Sequence, residues 1–267
     1  QTWRDTWPEV HTYTDYREML AREHLDLLGV ATSDHLHAQI VVDACEAGVR
    51  AILCEKPFAT TLADADRMIA AAERHGVAMT VDHWTRWSPQ TLQAREALRS
   101  GTIGALKRIV QTGGGPRAML FRNGTYGMDW LCCFAGSDPV EVFGQLDSEF
   151  EGYGPRYAGD GGHDPSTDPG GSAYVRFANG VRGFYNLSQG TVNYWETFLM
   201  GEKGWMRFSS DVHLEIAVQE DARQPLRRTY VPAPQVTRSG MVAAVADLLH
   251  VLEPVSYTHL TLPTILR

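Results

Sequence analysis

Two apolar periods alternate along the first third of the chain. Leu25 to Ala31 is a short apolar run, followed by Ala38, Val41, Val42 and Cys45 at i, i+3, i+4 and i+7, with Gly48 closing the segment. The run reads as a strand and the spaced residues as one face of a helix. The pair repeats. Ala51 to Cys54 forms a second strand, and Leu62, Ala65, Ile69 and Ala72 mark a helix with Thr61 as cap and Gly76 as stop. Val77 to Val81 is a third strand. Upstream, Asp15-Tyr16-Arg17-Glu18 reads as a capping box opening a short helix through about Glu23, with Tyr16, Met19 and Leu20 facing inward. The order β-α-β-α-β with connections of this length requires parallel strands and right-handed crossovers. Three strand ends then lie side by side: Thr32-Ser33, Glu55-Lys56-Pro57 and Asp82-His83-Trp84.

The second half changes character. Ser172 to Phe177 alternates, Ala178-Asn179-Gly180 supplies a turn, and Val181 to Leu187 returns, which is a hairpin. Strands follow at Glu196 to Met200 and Trp205 to Ser209, and Leu214 to Gln219 and Arg228 to Val231 extend the sheet. Trp130, Trp195 and Trp205 read as sheet and core packing. Met241 to Leu252 carries a helix stripe in Val242, Val245, Leu248, Leu249 and Leu252. Gly152 to Gly171, rich in Gly, Pro and Asp, reads as a long loop. Its His163-Asp164 is too isolated for a metal site, and no metal is expected. From about Val255 to Arg267 the sequence follows no helical period and reads as a non-native tail.

The expected fold is α/β: a partial Rossmann-type parallel-sheet domain over residues 1–84, then an α+β domain with a large open antiparallel sheet over 85–254. A length of 267 residues accommodates both domains. The formal net charge of -8, with both signs interspersed and no basic run, argues against nucleic acid or an anionic membrane as partner. A small-molecule ligand is the default. Cys45, Cys54, Cys132 and Cys133 lack zinc-ligand spacing and read as buried free thiols, which points to a reducing, cytoplasmic setting. No apolar run reaches membrane-spanning length, and the first residues do not form a signal peptide.

In open α/β sheets, ligands bind just outside the carboxyl ends of the strands. A lysine at that edge can reach a cofactor and a substrate together. Taken singly, each residue has a plainer reading: Glu55 and Lys56 as a surface ion pair stabilising by about 0–1 kcal/mol, His37 as a helix-start residue, Pro57 as a preamble to the next helix. Three polar clusters at one rim favour a binding edge.

Thr32-Ser33-Asp34-His35-Leu36-His37, Cys54-Glu55-Lys56-Pro57-Phe58 and Arg86-Trp87-Ser88-Pro89, in this order and spacing, resemble the Gfo/Idh/MocA oxidoreductase family. Gly101-Thr102-Ile103-Gly104 resembles the family's link into its second domain, and Gly124-Thr125-Tyr126-Gly127-Met128-Asp129 its G-[ST]-H-x-x-D segment. The resemblance covers about residues 12 to 250. It implies a Rossmann domain binding NAD or NADP, then an α+β domain whose open sheet covers the nicotinamide and often builds the oligomer interface. It implies cofactor contacts at Thr32, Ser33, His37, Glu55, Lys56, Pro57, Trp84 and Arg86. Catalytic roles fall on Lys56, Tyr126 and Asp129, and substrate contacts on Lys56, Arg122, Tyr126 and Asp129. The Lys-Pro bond is commonly cis in the family.

Two departures qualify the resemblance. The family's G-x-G-x-x-G loop and its residue choosing NAD or NADP belong to a β-α-β unit that falls before residue 1, so this chain alone is expected to bind dinucleotide poorly or not at all. Gly113-Gly114-Gly115-Pro116 follows a strand but opens no helix, and does not replace that loop. Many family dehydrogenases carry D-x-x-x-H-x-x-D, and the matching positions here are Arg122, Tyr126 and Asp129. Tyr126 is able to exchange a proton in place of His, or to pack on the sheet. Arg122 suits a carboxylate or phosphate on the substrate.

The expected activity is hydride transfer between a sugar, cyclitol or related polyol and NAD(P), with Lys56 as the base. Desolvation lowers a lysine's pKa and a facing Glu55 raises it, so its direction stays open. The alternatives are an NAD-dependent glycosidase of the same fold and a non-catalytic cofactor or ligand sensor. A homo-oligomer formed through the antiparallel sheet is the expected assembly.

Overall fold

The computed structural model describes residues 7–116, 120–147, 168–221, 223–235 and 240–252. Within that range the chain forms two compact units, one of residues 7–81 with 246–252, the other Asp82–Val245. The division after Val81 falls three residues before the expected boundary at 84. Most of the expected 152–171 loop, with its His163-Asp164, and the tail from Val255 lie outside the described residues.

The first unit opens with helix α1 (Tyr16–Arg22). Asp15 caps it by accepting from Arg17 N at 2.9 Å, while Glu18 pairs forward with Arg22 at 2.9 Å instead of reaching back to close the box. Then come β1 (Leu27–Val30), α2 (His37–Glu46), β2 (Ala51–Cys54), α3 (Leu62–His75) and β3 (Ala78–Val81). The three strands pair in parallel in the order β1-β2-β3. β2, between the other two, is buried along its whole length, as its continuous apolar run requires. Thr61 caps α3 through a bond from Asp64 N, and Gly76 ends it with φ 65°.

The buried face of α3 is Met68, Ala71 and Ala72. Leu62 is 84% exposed, because it lies about 120° around the helix from Met68. Cys45 and Cys54 are buried as expected. Cys132 is exposed and Cys133 half-buried, on the side of their helix turned from the core.

The second unit begins beyond β3 with a 3-10 turn (Trp84–Trp87), then α4 (Pro89–Arg99), β4 (Leu106–Gly115), α5 (Thr125–Ala135), β5 (Pro139–Leu146), β6 (Gly171–Phe177), β7 (Arg182–Gln189), β8 (Tyr194–Gly201), β9 (Gly204–Ser209), β10 (Glu215–Val218) and β11 (Arg227–Tyr230). The last described helix is α6 (Gly240–Leu252). Its buried residues include Ala244 and Leu248, whereas Val242 and Leu249 of the expected stripe are exposed.

Eight strands form one sheet, β11-β10-β9-β8-β4-β7-β6-β5. All neighbours are antiparallel except β4 and β7, so the sheet is mixed. One face packs on α4 and α5 through Ile109, Phe177, Leu199, Met206 and Phe208 against Ala94, Leu131 and Phe134. The other carries a row read directly from the register: Phe143 opposite Tyr174, Tyr174 opposite Phe184, Phe184 opposite Val110, Val110 opposite Phe198. Trp205 stacks on Phe198 at 5.5 Å, and the Arg228 guanidinium lies 5.4 Å over the Trp205 ring.

Candidate functional site

The first unit presents its chemistry at the carboxyl ends of its strands. Glu55 N donates to Val30 O at 2.8 Å, extending the β1–β2 ladder one residue beyond β2. The Glu55 carboxylate accepts from Lys56 N at 2.9 Å, and the Lys56-Pro57 peptide is cis. Lys56 itself is half-buried.

His37 is the residue that binds this edge together. It is fully buried, with Nδ1 3.0 Å from Pro57 O and Nε2 3.1 Å from Thr32 O. One imidazole thus spans the chain leaving β1 and the chain leaving β2. A neutral ring donates from only one nitrogen, so the tautomer decides which carbonyl receives the proton.

Thr32 also opens onto a cavity of about 520 Å³, with Leu36 and Ile40 on one side and Tyr13, Tyr16 and Arg17 on another. Arg17 lies 4.6 Å over the Tyr16 ring and 3.3 Å from Asp43. The described residues offer no glycine-rich phosphate cradle: Gly113–Gly115 sit inside β4, and the next helix starts only at Thr125.

The second unit holds a larger cavity, about 580 Å³. Its floor is β4, β7 and β8, where Gly113 lies between Leu187 and Trp195 in the register. Glycines make the hollow: a Cβ on Gly113 would meet Leu187 Cδ1 at 3.0 Å, and one on Gly114 would meet Thr191 Oγ1 at 2.3 Å. The walls are Trp84 and Thr85 from the 3-10 turn and Tyr126 and Trp130 from α5. Tyr126 lies edge-on to His83 at 5.7 Å and to Trp84 at 6.1 Å. Tyr185 donates to Gly124 O at 3.0 Å, and Trp130 Nε1 donates to Thr91 Oγ1 at 3.1 Å.

Asp129 does not line that cavity. It is buried, gripped by Arg86 through Nε (3.0 and 2.8 Å) and Nη2 (2.7 Å), with His83 Nδ1 at 3.2 Å. Burial acts to raise its pKa, but the hydrogen bonds from His83 and Arg86, with their charges, leave it below the usual carboxylate value. Arg86 shows the converse. Burial alone would lower its pKa, and the Asp129 carboxylate holds it above the ordinary guanidinium value.

The anticipated residues therefore fall into three groups. Thr32, His37, Glu55, Lys56 and Pro57 share the strand-end edge of the first unit, with Ser33 exposed beside them. Trp84 and Tyr126 share the cavity of the second unit. Arg86 and Asp129 form a buried ion pair in that unit, and Arg122 is half-buried outside the cavity lining. The cavity residues Gln111, Tyr185, Asn193 and Trp195 were not anticipated. The signal for them was the glycine run of β4 opposite Tyr194-Trp195. Among the described residues, no group of three or more potential metal ligands exists, and no helix is long and apolar enough to cross a membrane.

One unit is built on a parallel sheet with polar strand ends and the other on a large mixed sheet, and in open α/β sheets such strand ends are where ligands bind. Residues 5–83 match the model of the oxidoreductase family with an NAD-binding Rossmann fold, GFO_IDH_MocA. That match covers most of the first unit, which is similar to this family. Over 92 residues the chain is 48% identical to D-apiose dehydrogenase of Paraburkholderia graminis, a match covering 34% of this chain and 24% of that protein. Over 102 residues the chain is 33% identical to the NADP(+) D-xylose 1-dehydrogenase of Hypocrea jecorina, covering 38% of this chain and 26% of the relative. The chain thus spans about a quarter of the length of these relatives. Among solved structures, aldose-aldose oxidoreductase from Caulobacter crescentus complexed with glycerol shares the fold, with a TM-score of 0.75 at 21% identity over 94% of this chain and 77% of that one.

Proposed function

We propose that the protein is an NAD(P)-dependent oxidoreductase that transfers a hydride between a sugar, cyclitol or related polyol and the nicotinamide. The observation that carries this reading is Glu55-Lys56-Pro57 at the end of the central parallel strand of a family Rossmann domain, joined to Thr32 through His37. The names of the relatives, D-apiose and D-xylose dehydrogenases, support the substrate class.

When bound, the nicotinamide supplies the hydride acceptor. Thr32, Ser33, Glu55 and Pro57 would hold it, and His37, between Thr32 O and Pro57 O, keeps that backbone in place. Lys56 takes the hydroxyl proton as the carbinol is oxidised. Tyr126 meets a substrate hydroxyl in the cavity of the second unit. Asp129 acts through His83 and Arg86, which set the wall that Tyr126 and Trp84 share. Arg86 is thus assigned to positioning rather than to cofactor contact. The setting is cytoplasmic, and a second copy of the chain covers the aromatic row of the open sheet face, where Phe143 is 76% exposed.

The test is reduction of NAD or NADP by a panel of aldoses and cyclitols with the full-length protein, followed by the absorbance of the reduced cofactor. Stoichiometric reduction supports the reading. Cleavage of an aryl glycoside without accumulation of reduced cofactor would replace it with transient oxidation and elimination.

A further inference from the structure

His83 Nε2 and Thr85 Oγ1 are both buried with no hydrogen-bond partner among the described residues. Thr85 belongs to the 3-10 turn that opens the second unit, and His83 immediately precedes that turn. Buried polar atoms are rarely left so, and the exceptions call for a role in binding or reaction. Thr85 lines the cavity of the second unit directly. His83 meets it through Tyr126, a wall residue whose ring lies edge-on to the imidazole at 5.7 Å.

The other nitrogen of His83 is already committed. Nδ1 lies 3.2 Å from the Asp129 carboxylate, in a pair whose side chains are 18% and 7% exposed. Arg86 grips the same carboxylate at 2.7 Å and keeps it ionised. An ionised carboxylate only accepts, so Nδ1 carries the hydrogen, and in the neutral ring Nε2 is then an acceptor. In this arrangement a carboxylate sets the tautomer of an imidazole and leaves its second nitrogen for a hydroxyl. Tyr126 and Asp129 both belong to α5, and at i, i+3 they share one face of that helix. The phenol is thus carried on the same face as the carboxylate that orients the imidazole.

Resting on the reading of Tyr126 as a substrate contact, we propose that His83 is its positioning residue: with a polyol seated, the Tyr126 hydroxyl donates to His83 Nε2 and turns its oxygen, as an acceptor, toward a substrate hydroxyl. A phenol alone donates or accepts, and Nε2 settles the direction. Bonds of this kind commonly tighten only in the substrate complex. The test uses the full-length protein with D-xylose, D-apiose and myo-inositol as probes. An asparagine amide reproduces the Nδ1 position of an imidazole and has no counterpart of Nε2. His83→Asn therefore keeps a donor for Asp129 and removes the acceptor, and it is compared with Tyr126→Phe and with the double variant. Nitrogen NMR of the imidazole rings reads the tautomer of His83 in the native protein.

His83→Asn should lower kcat/KM about tenfold, the worth of one hydrogen bond, with its thermal midpoint close to the native one. The double variant should lose no more than Tyr126→Phe alone, because the two side chains act as one unit. The native His83 ring should carry its hydrogen on Nδ1, and its Nε2 resonance should shift when a polyol is added. Losses that add, unchanged kcat/KM in folded His83→Asn, a hydrogen on Nε2 of the neutral ring, or an Nε2 resonance that no probe moves would each overturn the inference. If additive losses include a loss for Tyr126→Phe, the inference falls and the reading of Tyr126 survives. A fully active Tyr126→Phe removes both. An Nε2 shift without reduction of either cofactor leaves the inference standing and removes the dehydrogenase reading instead.

Discussion

Arg86 holds Asp129 with both Nε and Nη2, at 2.7 to 3.0 Å, inside the second unit. Three residues before Arg86 in the chain, His83 reaches the same carboxylate at 3.2 Å, so the start of the second unit is tied to α5 at one buried point. Breaking such a pair leaves an unmatched buried charge. Asp129→Asn should therefore lose about 3–5 kcal/mol of stability, read from denaturant midpoints.

The same carboxylate gives stability a pH dependence. Its pKa is lowered in the folded state, so its contribution is complete above the unfolded value of about 3.9. That contribution is lost as pH falls through the lower folded value. Thermal midpoints of the native chain should fall more steeply below about pH 4 than those of Asp129→Asn. Parallel acid limbs for the two proteins would contradict the assignment.

His37→Ala removes the ring between Thr32 O and Pro57 O. A loss of about 1–3 kcal/mol is expected, since a buried ring is removed and one of the two carbonyls loses its donor. If His37 sets the Glu55-Lys56 edge, the KM for cofactor should rise more than kcat falls. Equal losses in both would assign His37 to stability alone.

Gly127 lets α5 approach the cavity floor closely: a Cβ there would meet Tyr185 Cε2 at 2.6 Å and Gln111 Cγ at 2.8 Å. Gly127→Ala should destabilise by about 1–3 kcal/mol through overpacking, measured by thermal unfolding.

The aromatic face of the large sheet supplies a prediction about assembly. Phe184, half-way along the row between Tyr174 and Val110, should tolerate replacement by Glu in an isolated chain. If a second copy covers this face, Phe184→Glu should convert a dimer or larger assembly to monomers in light scattering. An unchanged mass would assign the face to another role.

How far the sequence reached depended on how local the signal was. β1, β2 and β3 were legible because each lies between a helix stop and a polar strand end, and Gly76 and Thr61 hold their expected capping positions. Leu62 and the α6 stripe misled, because an apolar residue within a helical period need not lie on the face the fold buries. β5 gave no signal since it is exposed along most of its length, at the sheet edge. The parallel β4–β7 pair joins strands more than 70 residues apart, a separation that no local pattern encodes. At the site, Glu55-Lys56-Pro57 was visible as an ionisable pair ending an apolar run. The Arg86–Asp129 pair was not, because only the fold brings those two positions together.

The central claim is that Lys56 moves the proton in a cofactor-linked polyol oxidation. Its most direct test is kcat/KM for NAD(P) reduction by the best polyol, measured for the full-length protein and for its Lys56→Ala variant with folding checked in both. The account predicts a loss of about 100-fold to 10,000-fold, carried by kcat, with cofactor binding retained. Unchanged turnover by folded Lys56→Ala would contradict it.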